Sequence, residues 1–242
     1  LVSLVPLGGA NAVHAGGPTP VLNDIPYDIS SLLKNRMAPP QLATSNGAGA
    51  AAMHNGEPAD LVLTLYDWSS DHAGPHEVPF WLERVGVHSY VYVAWNDLEA
   101  PSASSQQYQQ ITADDIEYIG REFDDKIWQS NVDHFGDYVS RPADDAKIAI
   151  MIYNIRDDAY WTDYRFYIAG YFWASLNTSQ NKNMIFVDSF DWPNRTTADA
   201  ERPFLYEATV AHEFEHLIHN DVDPDEVSFI DEGMADMAEY FA

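Results

Sequence analysis

The chain has 242 residues and no cysteine, enough length to bury one good core, while disulfides, thiolate metal ligands and a cysteine nucleophile are all excluded. Acidic residues outnumber basic ones 38 to 12, for a formal charge of −26. Nucleic acid and anionic membrane surfaces would be repelled and are not expected as partners.

Residues 1–15 resemble the end of a signal peptide, with small residues at Val13 and Ala15 before a cleavage point; a retained arm is the alternative. Residues 16–58 are rich in Pro, Gly, Ala, Ser and Asn, and include the low-complexity run from Ser45 to Met53. They read as an extended arm, a linker or a pro-segment, with Val21, Leu22, Ile25, Leu32 and Leu33 as apolar anchors. Residues 59–242 read as one domain, incomplete at Ala242, which falls in an unfinished helix; a larger parent protein is expected. No run reaches the roughly 18 apolar residues of a membrane span, so no insertion is expected within this chain.

Within that domain, 61–66 and 89–95 are strand-like in their branched and aromatic content. The segment between them, with His72 and His76, reads as a solvated loop. Thr112 or Asp114 opens a helix to about Phe135 that buries Ile116, Ile119, Phe123, Ile127 and Trp128. The continuous apolar run 147–153 predicts a central strand covered on both faces, and 164–173 and 183–188 predict two more. Sequons at Asn177 and Asn194 imply exposure of both asparagines.

The most informative stretch is His212-Glu213-Phe214-Glu215-His216. With nine histidines, such a pattern arises by accident in about 2 of 100 chains of this kind. Its surroundings are helical: no Gly or Pro interrupts 204–219, and Leu205, Ala208, Val210, Ala211, Phe214, Leu217 and Ile218 recur at helical spacing. Thr196, Thr197 or Asp199 would cap this helix. Histidines four apart share a face, so His212 and His216 can hold one metal ion, with Glu213 placed to activate water.

A second helix from Ser228 to Tyr240, with Ile230, Met234, Met237, Ala238 and Phe241 as its apolar positions, can supply Glu232 as third ligand and leave the fourth position open. Asp236, four residues on, would accept from the far ring nitrogen of His212 or His216. His219 is a secondary candidate that would line the cleft. Asp221, Asp223 and Asp225 imitate the start of a calcium loop, but Glu226 stands where glycine is required and Pro224 intrudes. A looser calcium contact by those three aspartates is the expectation that remains, with Zn2+ as the principal cofactor and Ca2+ as the second.

The segments HEFEHLIH (212–219) and DEGMADMAEY (231–240) resemble the immune inhibitor A family of secreted zinc metallopeptidases and their surface-layer relatives, and next the hyicolysin-type peptidases; both are similar to the wider gluzincin group. The resemblance is specific over 206–242 and architectural over about 60–205. It implies zinc on His212, His216 and Glu232, Glu213 as general base, and Asp236 supporting a histidine. It further implies an α+β fold: a zincin-like N-terminal subdomain whose mixed, twisted sheet carries the metal helix and then the ligand helix, preceded by an extended arm. In that fold the strand at about 165–173 would pair with an extended substrate. The activity implied is a zinc-dependent endopeptidase acting on proteins or peptides, secreted or at the surface of a bacterial or archaeal cell. The alternative is a structural or adhesive module of a cell-surface assembly, calcium-stabilised and self-associating, that retains the fold.

Overall fold

The chain is described by a computed structural model over residues 25–30, 33, 53–54, 57–94, 110–143, 145–162 and 164–242. The signal-like segment 1–15 and the low-complexity run from 45 to 52 lie outside the described residues.

Seven strands form one mixed sheet. In chain order they are β1 (Ile25–Asp28), β4 (Leu61–Asp67), β5 (Gly74–Val85), β6 (Ser89–Ala94), β7 (Ile148–Tyr153), β8 (Phe166–Phe172) and β9 (Met184–Asp188). A separate two-stranded ladder joins β2 (Met53–His54) to β3 (Glu57–Pro58). The order across the large sheet is β1-β8-β9-β7-β6-β5-β4. The pairs β1–β8, β6–β7 and β7–β9 are parallel, and β4–β5, β5–β6 and β8–β9 are antiparallel. Helices α1 (Ala113–Glu122), α2 (Trp128–Phe135), α3 (Asp158–Trp161), α4 (Ala174–Gln180), α5 (Leu205–Val222) and α6 (Ser228–Phe241) complete the α+β fold. Among the described residues no helix is long and apolar enough to cross a membrane.

Period-two alternation divides the core in two. On β7, Ile148, Ile150 and Ile152 face one cluster, shared with α1, α2 and α5; Ala149, Met151 and Tyr153 face the other. A strand buried on both faces must be apolar throughout, which is what 147–153 predicts. Each isoleucine and Met151 contributes about 1.5–3 kcal/mol when fully buried.

Four expectations are corrected. The segment containing His72 and His76 is not a loop throughout: β5 starts at Gly74. Pro75 and Pro79 obscure it; both pair with β4 and precede the stretch from Phe80 that also pairs with β6, so this part of β5 is paired on one side, where proline is tolerated. Within 16–58, read as an extended arm, a linker or a pro-segment, the chain is not simply a linker, since β1 joins the sheet edge and Ile29 and Leu33 are buried in the second core. Asn177 is buried, its amide donating to the carbonyl of Met184, so its sequon does not mark an exposed site. On α6 the buried positions are Asp231, Ala235 and Ala238, while Ile230 and Met237 are exposed. Small residues let α6 lie close against α5; Phe229, Ile230, Met237 and Tyr240 turn to solvent, while Phe241 stacks on His134 of α2.

The predicted helix over 114–135 is interrupted by a π-helical turn, Phe123–Ile127. Thr112 caps α1 reciprocally with Asp115, as a capping box requires. The π turn presents Asp124 to the β5–β6 hairpin, where its carboxylate accepts from the amides of Val87 and His88, the Ser89 hydroxyl and Arg84.

Candidate metal centre

The helix that carries the motif, α5, is buried along most of its length, from Tyr206 to His219 apart from Ala208. Phe214 packs against Phe123 and Tyr138 with ring centroids 5.2 and 5.5 Å apart. Deleting such a side chain costs about 3–5 kcal/mol. From α2, the Asn131 amide donates to the carbonyl of Ala211, 2.7 Å away. The helix start differs from expectation: neither Thr196, Thr197 nor Asp199 caps it, and Phe204 precedes it in the left-handed region. Instead Glu207, in the first turn, reaches back to accept from the Thr197 amide and the Tyr118 hydroxyl, both at 2.7 Å. Burial raises the Glu207 carboxyl above its ordinary range.

These contacts fix the face on which the motif sits. Nε2 of His212 and Nε2 of His216 lie 3.2 Å apart. Oε2 of Glu232, brought by α6, lies 3.7 Å from each. A tetrahedral zinc with ordinary bond lengths requires ligand atoms about 3.4 Å from one another. The donor triangle is within a few tenths of an ångström of that, and Oε1 of Glu232 is buried with no hydrogen-bond partner among the described residues. The residues present therefore fit a zinc ion.

The outward ring nitrogens face carboxylates. Nδ1 of His212 lies 3.0 Å from Oε1 of Glu239 and 3.7 Å from Oδ1 of Asp236. Glu239, which the sequence analysis passed over, thus takes the hydrogen bond expected of Asp236. Nδ1 of His216 lies 3.4 Å from Oδ1 of Asp231 and 3.9 Å from Oε2 of Glu215. His212 thus has a carboxylate hydrogen-bonded behind it, the arrangement that fixes tautomer and ring orientation in metal sites, and His216 has the carboxylates of Asp231 and Glu215 near its Nδ1.

The charges respond accordingly. Burial works against protonation of His212, but Glu232 and Glu239 outweigh it and hold the imidazole well above its usual value. Burial likewise opposes ionisation of Glu232, yet the two histidines pull its carboxyl far below the ordinary range. Glu215 and Asp236 are raised, chiefly by burial.

Glu213 is buried beside the triangle, and its Oε2 accepts from the hydroxyl of Ser30, 2.8 Å away. Gly170 on β8 stands opposite: a Cβ there would lie 3.1 Å from Oε1 of Glu213 and 2.6 Å from Cγ2 of Thr209.

The remaining candidates lie elsewhere. His219 is buried against Glu215, with Nδ1 to Oε1 at 3.3 Å. Asp221 is engaged by Arg141 at 3.0 Å and by the Val139 amide. Asp223 accepts from the amide of Asp225, and none of these three aspartates belongs to a group of close metal-ligating side chains among the described residues. The strand proposed for substrate pairing has its outer edge filled, by β1 over Phe166–Gly170 and by Ser30, whose oxygen accepts from the Phe172 amide.

No protein-family model matches the chain, and no curated protein matches it at a significant level.

Proposed function

We propose that this chain is a zinc-dependent endopeptidase of zincin-like architecture, secreted or displayed at a cell surface, acting on protein or peptide substrates. The observation that carries the reading is the donor triangle of His212, His216 and Glu232, with edges of 3.2, 3.7 and 3.7 Å, beside the buried carboxylate of Glu213.

Held by those three residues, zinc would lower the pKa of a water towards about 7 and polarise a substrate carbonyl. Glu213 supplies the proton acceptor: one turn of helix presents its carboxylate next to the imidazoles, and it takes the proton from water and returns it to the leaving amine. Glu239 orients the His212 imidazole through its Nδ1, and the Asp231 carboxylate lies 3.4 Å from Nδ1 of His216. The interior around them, with His212 and Glu213 each only 1% exposed, excludes bulk water and strengthens every charge interaction within it.

The test is metal analysis of the purified chain with three variants, together with hydrolysis of an unfolded protein substrate. A single zinc, lost in His212→Ala and in Glu232→Ala, and retained in Glu213→Gln without turnover, is the expected result. Metal that survives both ligand changes, or turnover that survives Glu213→Gln, would sink the proposal. Calcium retained in place of zinc would favour a structural module of a surface assembly.

A further inference from the structure

We infer that Ser30 is a positioning residue for Glu213, and that the arm 25–33 completes the site instead of merely covering it. The inference rests on the reading of Glu213 as general base.

The geometry is a relay of three groups. The Phe172 amide donates to Oγ of Ser30 at 2.8 Å, and Oγ donates in turn to Oε2 of Glu213 at 2.8 Å. A hydroxyl has one proton to give. With its oxygen accepting from the Phe172 amide, Ser30 directs that proton at Oε2 of Glu213 and fixes where the carboxyl group sits. The contact is made where Ser30 is 3% and Glu213 is 1% exposed.

The sheet is shaped to allow it. The β1–β8 ladder skips Ala169: Tyr27 pairs with Ile168 and Asp28 with Gly170. Across the sheet, Gly170 pairs with Val187 of the first core, so residue 170 faces α5. Lacking a side chain, it leaves room for Glu213. The carboxylate is thereby held between Ser30 on one side and the backbone of Gly170 on the other.

A removable cover would sit on the site without being built into the core. Here Ile29 and Leu33, on either side of Ser30 in sequence, are 4% and 1% exposed and belong to the second core, which also includes Ile168 of β8 and Phe186 of β9. Pulling the segment away would open that core.

The experiment compares the full chain with Ser30→Ala, Ser30→Thr and Glu213→Gln in two readouts. Loaded with zinc, Ser30→Ala should lose kcat by about 10- to 100-fold, the scale of a displaced catalytic group. KM should stay within about two-fold, because ground-state binding is untouched. Ser30→Thr, which keeps the hydroxyl, should restore most of the loss. Without metal, the Phe172 amide should exchange faster in Ser30→Ala than in the wild-type chain, by NMR, and remain protected in Ser30→Thr and Glu213→Gln. An active Glu213→Gln overturns the peptidase reading and this one with it. A dead Glu213→Gln beside a Ser30→Ala of unchanged or increased turnover overturns this inference alone. So does unchanged Phe172 protection in Ser30→Ala.

Discussion

Oε1 of Glu239 lies 3.0 Å from Nδ1 of His212, while Asp236, three residues earlier on the same helix, stops at 3.7 Å. The longer side chain reaches the ring that the shorter one only approaches. Carboxylates in this role are worth about 10- to 100-fold in metal affinity. Glu239→Ala is therefore expected to weaken zinc binding by that factor, and Asp236→Ala by much less, in a competition titration against a chromophoric chelator. Equal losses in the two variants would mean that the pair acts jointly.

Gly170→Ala tests the close approach of α5 to β8. The added methyl would meet Thr209 at 2.6 Å and the backbone oxygen of Phe186 at 2.8 Å, and backbone cannot step aside as a flexible side chain can. Overpacking of this kind costs about 1–3 kcal/mol. A lower melting temperature together with reduced turnover is expected, since Glu213 is the third neighbour of that methyl.

The contact between α5 and α6 depends on small residues. Ala235 is fully buried, one turn beyond Glu232. Ala235→Leu should push α6 outward and lengthen the reach of Glu232 to both histidines. Zinc stoichiometry is expected to fall although His212, Glu213 and His216 are unchanged, and metal analysis beside circular dichroism would separate this from unfolding.

Asp124 offers a pH-dependent prediction away from the metal. Burial favours its neutral form, but Arg84 and the donors at His88, Ser89 and Val87 outweigh it and hold the carboxyl below its ordinary value. A depressed folded-state pKa contributes stability that is present above the unfolded pKa of about 3.9 and is lost as pH falls through the folded value. Asp124→Asn should therefore lower the unfolding free energy measured in denaturant at pH 7 by about 1.5–3 kcal/mol, the scale of hydrogen bonds to a charged group. The gap to the wild-type chain should narrow on acidification below about pH 3.9. A gap independent of pH would show that packing, and not charge, is what the asparagine disturbs.

Much of this architecture is written in local pattern. The apolar run 147–153 and the helical spacing around His212 are short-range signals, and β7 and α5 follow them. Thr112 with Asp115 marks a helix start by a rule three residues long. What escaped is of two kinds. Pro75 and Pro79 speak against a strand, and only the one-sided pairing of that part of β5 reconciles them with the sheet. Glu239 escaped because Asp236 satisfies the same spacing rule, and the choice between them depends on side-chain length and on how close α6 lies to α5. The role of Ser30 has no local signal at all. It depends on a ladder between β1 and a strand far along the chain, and a single serine in a Pro- and Gly-rich arm carries no periodicity to announce it.

That long reach sets an order of events in biosynthesis. Ser30 precedes its partner Glu213 by 183 residues, so on a growing chain the arm emerges with its place in the sheet not yet made. Domain cores form late when their defining contacts span most of the sequence. The edge strand, Glu213 and Glu232 can meet only after Glu232 has been synthesised. A nascent chain halted earlier would hold the two histidines without the carboxylate that closes the triangle; on the proposed reading it would have no hydrolytic centre to turn on its own unfolded segments.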